Sequence, residues 1–182
     1  MGKSKQYGMN TKALHANKRF EPISGDVMPP LHLSTTYIND VPGESEYFYG
    51  RVNNPTRELF ERTLASLEGI DNYEEQHAFA MASGMSAISL IAELAKPGDN
   101  VVITTDVYGG TTNYFSKIIR ERGVEVNFCD FADTKKLDNL LNEKTKLAWI
   151  ESPSNPSLFF YYILEIALIV HKYPTLLVSD ST

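Results

Sequence analysis

The chain has 182 residues, 42% of them hydrophobic and 22% charged, with 11 glycines and 9 prolines, which is the composition of an ordinary globular protein. This excludes collagen-like, disordered and disulfide-scaffold classes, and the length suffices to bury a core. A formal net charge of -6 argues against a nucleic-acid partner, because affinity for a phosphate backbone rests on clustered Lys and Arg.

Lys3, Lys5 and Lys12 near the start, and Lys135-Lys136 in an acidic stretch, read as solvated surface. The first six residues have no apolar signal core. The longest greasy run, 158–170, is broken by Glu165 and falls short of the roughly 20 residues that span a bilayer. Cys129 is the single cysteine and cannot form an internal disulfide, so a reducing, cytoplasmic location without a membrane partner is expected. Its setting in the run Val126-Asn127-Phe128-Cys129 predicts a buried, inert thiol.

Up to about Tyr47 the chain has little periodicity and is rich in Pro, Gly and Ser, which predicts an extended arm, taken as residues 1–55. A helix follows Pro55, with Thr56 as N-cap, Glu58 and Glu61 near its positive end, and a stripe of Leu59, Phe60, Thr63, Leu64 and Leu67 that Gly69 ends. Beyond it, short apolar runs alternate with helical patterns. The run 78–81 precedes a helix over 84–95, and Pro97-Gly98-Asp99 turns into a strand at 101–104. A helix over 112–122 ends at Gly123 before a strand at 124–128. Helices over 134–142 and 160–173 lead into strands at 147–150 and 176–178. Strands apolar on both faces, each separated by a helix, predict an α/β fold: a mostly parallel sheet covered on both sides, over residues 56–182.

In such sheets ligands bind beyond the carboxyl ends of the strands. Four segments lie there. Ser83-Gly84-Met85-Ser86, at a helix start, is either a phosphate cradle or an ordinary N-cap. Asp106-Val107-Tyr108-Gly109-Gly110-Thr111 is either a platform that lays the Tyr108 ring on a planar ligand or a flexible loop. In Glu151-Ser152-Pro153-Ser154-Asn155-Pro156, prolines flank Asn155, so the loop is either an aimed amide or a tight turn. Asp180, at the tip of what reads as a buried strand, needs a partner such as a cationic ligand, or else caps a helix. Together they describe a site for a flat, phosphorylated heteroaromatic cation. No dinucleotide or nucleoside-triphosphate fingerprint is present, and no metal is expected.

These residues, in order, resemble the cystathionine γ-lyase and γ-synthase group of pyridoxal-phosphate (PLP) enzymes of cysteine and methionine metabolism. The resemblance runs through Ala13-Leu14-His15-Ala16, Ser34-Thr35-Thr36-Tyr37, Tyr49-Gly50-Arg51, Asn54-Pro55-Thr56-Arg57, Ala82-Ser83-Gly84-Met85, Val107-Tyr108-Gly109-Gly110-Thr111, Trp149-Ile150-Glu151-Ser152-Pro153-Ser154-Asn155-Pro156 and Val178-Ser179-Asp180-Ser181-Thr182. It implies the large domain of a fold-type I PLP enzyme, with pyridoxal 5'-phosphate as cofactor and a sulfur amino acid as substrate.

It further implies that backbone groups of Gly84 and Met85 hold the phosphate and that Tyr108 stacks on the ring as the catalytic residue. Asp180 would keep the ring nitrogen protonated, and Asn155 would approach the ring hydroxyl. Tyr49 and Arg51 would reach the phosphate of a neighbouring subunit, making the arm an oligomerisation element of a homo-oligomer, a dimer of dimers in the full-length family. The family's cofactor-bearing lysine lies in a later strand, beyond the Asp180 motif, so the chain reads as an N-terminal part without that lysine or the C-terminal domain.

The activity implied is that of cystathionine γ-lyase, releasing cysteine, 2-oxobutanoate and ammonia. Several departures from the family pattern are visible: Asn17 follows the His-Ala pair, Tyr161-Tyr162 precede Ile163, and Ser181 follows Asp180. Asn113 stands where γ-lyases often have a carboxylate-binding Arg. Cystathionine γ-synthase, O-acylhomoserine sulfhydrylase and methionine γ-lyase therefore stay open, as does a non-catalytic form that associates with a full-length relative.

Overall fold

The computed structural model describes residues 7–15, 25–26, 28–41, 43–70 and 77–182. Lys3, Lys5, Ala16, Asn17, Pro22, Ser24 and Pro42 lie outside the described residues. The chain forms two compact units, Met1–Ala80 and Met81–Thr182.

In the first unit, α1 (Met9–His15) packs on α2 (Pro55–Leu67), with Lys12 Nζ donating to the Ser66 carbonyl at 3.1 Å. The segment read as an extended arm thus includes one short helix. The N-cap of α2 is Asn54, not Thr56: the Asn54 side-chain oxygen accepts from the N–H of Thr56 at 2.9 Å and of Arg57 at 3.3 Å. Pro55 takes the first helical position, where a missing N–H costs nothing. Thr56 instead uses its hydroxyl to accept the His32 N–H at 2.9 Å, tying the preceding chain to the helix. On the first turns of α2, Glu58 accepts from the Tyr47 hydroxyl and pairs with Arg62.

The second unit is built on four parallel strands, β1 (Asn100–Thr104), β2 (Glu125–Cys129), β3 (Thr145–Glu151) and β4 (Leu176–Asp180), in the order β2-β1-β3-β4. Alternate residues serve opposite faces. Val101, Ile103, Leu147 and Trp149 meet Ile88 and Ala92 of α3 (Gly84–Ala92) and the long helix that begins as α4 (Gly109–Asn113). Val102, Ala148 and Ile150 meet α5 (Thr134–Leu140) and α6 (Ile163–Val170) on the other face. The parallel α/β sheet with both faces covered is the fold expected from the alternation of apolar runs and helices.

The helix begun by α4 winds wider through a π segment, Tyr114–Ile119, and tightens to a last turn, Arg120–Arg122. Gly123 ends it at φ +86, a left-handed conformation that suits glycine. Phe115 and Ile119 project from the wide segment into the core, and the Phe115 ring lies 5.5 Å from that of Trp149.

The run 78–81 is not a strand, and Phe79 is 59% exposed, because no strand among the described residues runs beside it. The helix expected from residue 160 starts only at Ile163. Its would-be first N–H groups are taken by serines of the preceding loop, Phe159 N–H by Ser154 Oγ at 3.0 Å and Tyr161 N–H by Ser152 Oγ at 3.2 Å. At the amino ends of the strands Asn100, 1% exposed, donates to the Leu140 carbonyl and Thr145 Oγ1, each at 2.9 Å, and accepts from Asn127 at 3.0 Å. No helix of the described residues is long and apolar enough to cross a membrane.

Candidate functional site

Because β1 leads to β2 on one side while β3 and β4 lie on the other, the connections leave the sheet in opposite directions between β1 and β3. That divergence opens a crevice beyond the carboxyl ends of the strands. A cavity of about 620 Å³ occupies it, formed wholly by the second unit. Gly84, Met85, Tyr108, Asn155 and Asp180, drawn from four separate segments, all line it.

Ser83 is the N-cap of α3, accepting the Ser86 N–H on its hydroxyl at 3.2 Å. The N–H groups of Gly84 and Met85 have no acceptor among the described residues, and nothing lies within 4 Å of where a Gly84 Cβ would stand. Two unpaired donors at the positive end of a helix, beside open space, have the chemistry that suits an anion. The N-cap at Ser83 is compatible with such a cradle.

Tyr108 stands at the start of α4, so Gly109 and Gly110 open a helix instead of forming a flexible loop. A Cβ on Gly110 would come within 2.3 Å of the Tyr108 ring and 2.8 Å of Met85 Sδ, so only glycine lets the ring lie there. Tyr108 is 48% exposed and lines the cavity. Val107 beneath is buried, which roots the segment in the core.

Asn155 projects from a loop held by Ser154, whose hydroxyl donates to Asp106 and accepts from Phe159 N–H. The peptides before Pro153 and Pro156 are cis.

Asp180 is half-buried, not sealed at the tip of a buried strand, because β4 is an edge of the sheet with Leu176 exposed. Its Oδ1 accepts from the Thr182 N–H at 3.1 Å and hydroxyl at 2.7 Å, a local turn that braces the carboxylate.

Glu151 has no role in the expectations drawn from sequence. It is 4% exposed, aligned with Asp180 on the neighbouring strand, and its Oε2 accepts the Tyr108 N–H at 2.8 Å. Burial pushes its carboxyl above the ordinary value, and the negative charges of Asp180 and Asp106 push the same way against the Tyr108 hydrogen bond. The one available signal was an acidic residue ending an otherwise apolar strand. Cys129 is fully buried, and burial raises its thiol to about 11.

Tyr49 and Arg51 belong to the first unit. Tyr49 bridges Thr36, the Gly50 N–H donates to the Thr35 carbonyl at 2.8 Å, and the Arg51 guanidinium lies 4.7 Å from the centre of the Tyr49 ring. The two side chains thus form a stacked cation–aromatic pair.

The donor set of the cavity suits a flat, phosphorylated heteroaromatic cation: an anion cradle, an aromatic face and a braced carboxylate. Among the described residues no lysine lines it.

Comparison with known proteins gives a consistent picture. The profile of a family described as Cys/Met metabolism PLP-dependent enzyme matches residues 10–182. A cystathionine beta-lyase of Coxiella burnetii is 40% identical over 181 residues, covering 98% of this chain and 46% of the relative. A cystathionine gamma-lyase of Dictyostelium discoideum is 36% identical over 184 residues, covering 100% of this chain and 46% of the relative. The crystal structure of a cystathionine gamma-lyase, CalE6, from Micromonospora echinospora superposes with a TM-score of 0.87 at 35% identity, covering 97% of this chain and 46% of that one. The chain spans about half the length of the relatives it matches.

Proposed function

The chain belongs to the Cys/Met metabolism PLP-dependent enzymes, and from that premise we propose that it supplies the cofactor pocket of a carbon–sulfur lyase acting on a sulfur amino acid, most like a cystathionine γ-lyase. The observation that carries this reading is the convergence of Gly84, Met85, Tyr108, Asn155 and Asp180 on one cavity. When bound, pyridoxal phosphate supplies an electron sink that stabilises negative charge on the substrate carbons.

The chain's own residues divide the remaining work. The free N–H groups of Gly84 and Met85 bind the phosphate. Tyr108 covers one face of the ring and excludes water from it. Asp180 would hold a proton on the ring nitrogen by charge-assisted hydrogen bonding, and Asn155 would orient the ring through its hydroxyl. Tyr49 and Arg51, already stacked, present a guanidinium fork to the phosphate of a neighbouring subunit in a homo-oligomer. The lysine that carries the cofactor comes from outside the described residues in this reading.

A second reading concerns the bond cut. A beta-lyase and a gamma-lyase among the relatives are each 40% identical, so cleavage of the bond at the β carbon stands beside cleavage at the γ carbon. A three-carbon rather than a four-carbon keto acid among the products would separate the two.

The test is titration with pyridoxal phosphate followed by borohydride reduction and mass measurement. We expect saturable binding, weakened roughly tenfold or more by Asp180→Ala, the worth of a hydrogen bond to a charged group. Equal affinity in wild type and variant would defeat the assignment of Asp180. A stoichiometric adduct on one lysine of this chain would show that the chain carries its own cofactor lysine and would rule out the non-catalytic associating form.

A further inference from the structure

Tyr108 is the N-cap of a helix that runs without interruption to Arg122, yet a tyrosine side chain cannot cap. Its backbone is extended, at φ -48 and ψ 134, and its ring is wedged where Gly110 and Met85 leave room. The position of the ring therefore depends on what holds the backbone at residue 108. One group from outside that segment does so, the Glu151 carboxylate, 43 residues away in sequence on the end of β3.

We propose that Glu151 is the positioning residue for Tyr108: by accepting its N–H from the end of β3, it fixes the Tyr108 ring over the cavity. The proposal rests on the cofactor reading only in what the ring covers. The anchor is stiff, because Glu151 is buried and its strand is paired with β1 and β4 on either side. It is also well placed electrostatically, since a carboxylate at a helix start meets the positive end of the dipole. Asp106 and Asp180 are the other charged groups facing it among the described residues, both acidic, so no cation among those residues competes with Tyr108 for the carboxylate.

The role is that of a hydrogen-bond acceptor, and this separates it from a charge effect on the ligand. Glu151→Gln removes the charge and keeps an oxygen that can accept the N–H, whereas Glu151→Ala removes both. The probe is pyridoxine 5'-phosphate, which has the ring and phosphate but no aldehyde to react with lysines, followed by its fluorescence on the full chain. We expect Glu151→Ala to weaken binding roughly three- to tenfold, the worth of one ring contact. Glu151→Gln should stay within about twofold of wild type, and Glu151→Ala should cause no further loss in a Tyr108→Ala background, because residues acting through one another are not additive. Equal losses in both backgrounds, or a Gln variant as weak as the Ala variant, would overturn the proposal.

Amide hydrogen exchange at Tyr108, read by NMR without ligand, gives a second and independent measurement. Protection should fall in Glu151→Ala and persist in Glu151→Gln, and protection unchanged in Glu151→Ala would overturn the proposal. If wild type fails to bind the probe while the Tyr108 amide follows Glu151 in this way, the cofactor reading falls and the anchoring of Tyr108 by Glu151 stands.

Discussion

Glu151 combines a buried carboxyl, two acidic neighbours and a single strong donor, the Tyr108 N–H. Its affinity for a proton is raised in the folded chain, first by burial, so the folded state binds that proton more tightly than the unfolded state. The sign follows: as pH rises from the ordinary carboxylate range through the raised value, this group subtracts stability, and above that window the loss is complete. Glu151→Gln cannot titrate. The stability of the Gln variant relative to wild type should therefore grow across that window and then level off, measured as urea midpoints between about pH 4 and 8. Parallel curves for the two proteins would refute this. The sequence pointed to the segments that line the cavity because glycines, prolines and strand-end polar residues mark them chemically. It could not show which oxygen meets which N–H: Glu151 reaches Tyr108 only because two strands far apart in sequence lie side by side. Asn54 and Thr56 illustrate the same limit, since both are good caps and the contact with His32 decides between them.

At the level of elements, the strands were legible because both faces of β1 and β3 are buried and their apolar runs are short and continuous. Boundaries were less so where side chains from elsewhere captured backbone groups. Ser152 and Ser154 delay α6 by three residues, and Thr145 Oγ1 takes the Asn142 N–H at 2.8 Å just past α5. The sequence also left the polar knot around Asn100 unmarked, for an Asn beside Asp99 reads as turn. The structure makes it a buried cross-strand tie of three hydrogen bonds, linking β1, β2 and β3 and the end of α5. Asn100→Ala should cost about 2–3 kcal/mol by leaving partners unsatisfied, while ligand affinity at the other end of the strands stays unchanged. Chemical denaturation and the pyridoxine-phosphate titration, run on one preparation, read the two effects. A stability change under about 0.5 kcal/mol would show that the knot is solvated rather than structural.

For the chain as a whole, the second unit leaves apolar surface uncovered beside the β4 edge. Leu164 is 76% exposed and Leu168 69%, one turn apart on α6, and Leu176 is 48% exposed. The apolar run of β4 suits a strand with neighbours on both sides, and at the end of the strand order it leaves that surface open: periodicity records what a strand can bury, not which neighbours it has. A paired apolar stripe beside an open strand edge favours association. The chain should therefore self-associate in sedimentation experiments, and Leu164→Lys with Leu168→Lys should shift it toward monomer without altering ligand affinity. A wild-type chain that stays monomeric at high concentration would contradict this.

The pairing of Glu151 with Asp180 across β3 and β4 has one more consequence. Residues added to or lost from the turn between α6 and β4 lengthen or shorten a connection without moving either carboxylate. A one-residue slip of β4 puts Ser179 in the place of Asp180 and turns the carboxylate to the opposite face. In a lineage of such chains, insertions and deletions can accumulate in the turn at 171–174, between α6 and β4, while the spacing within each strand is closed to them.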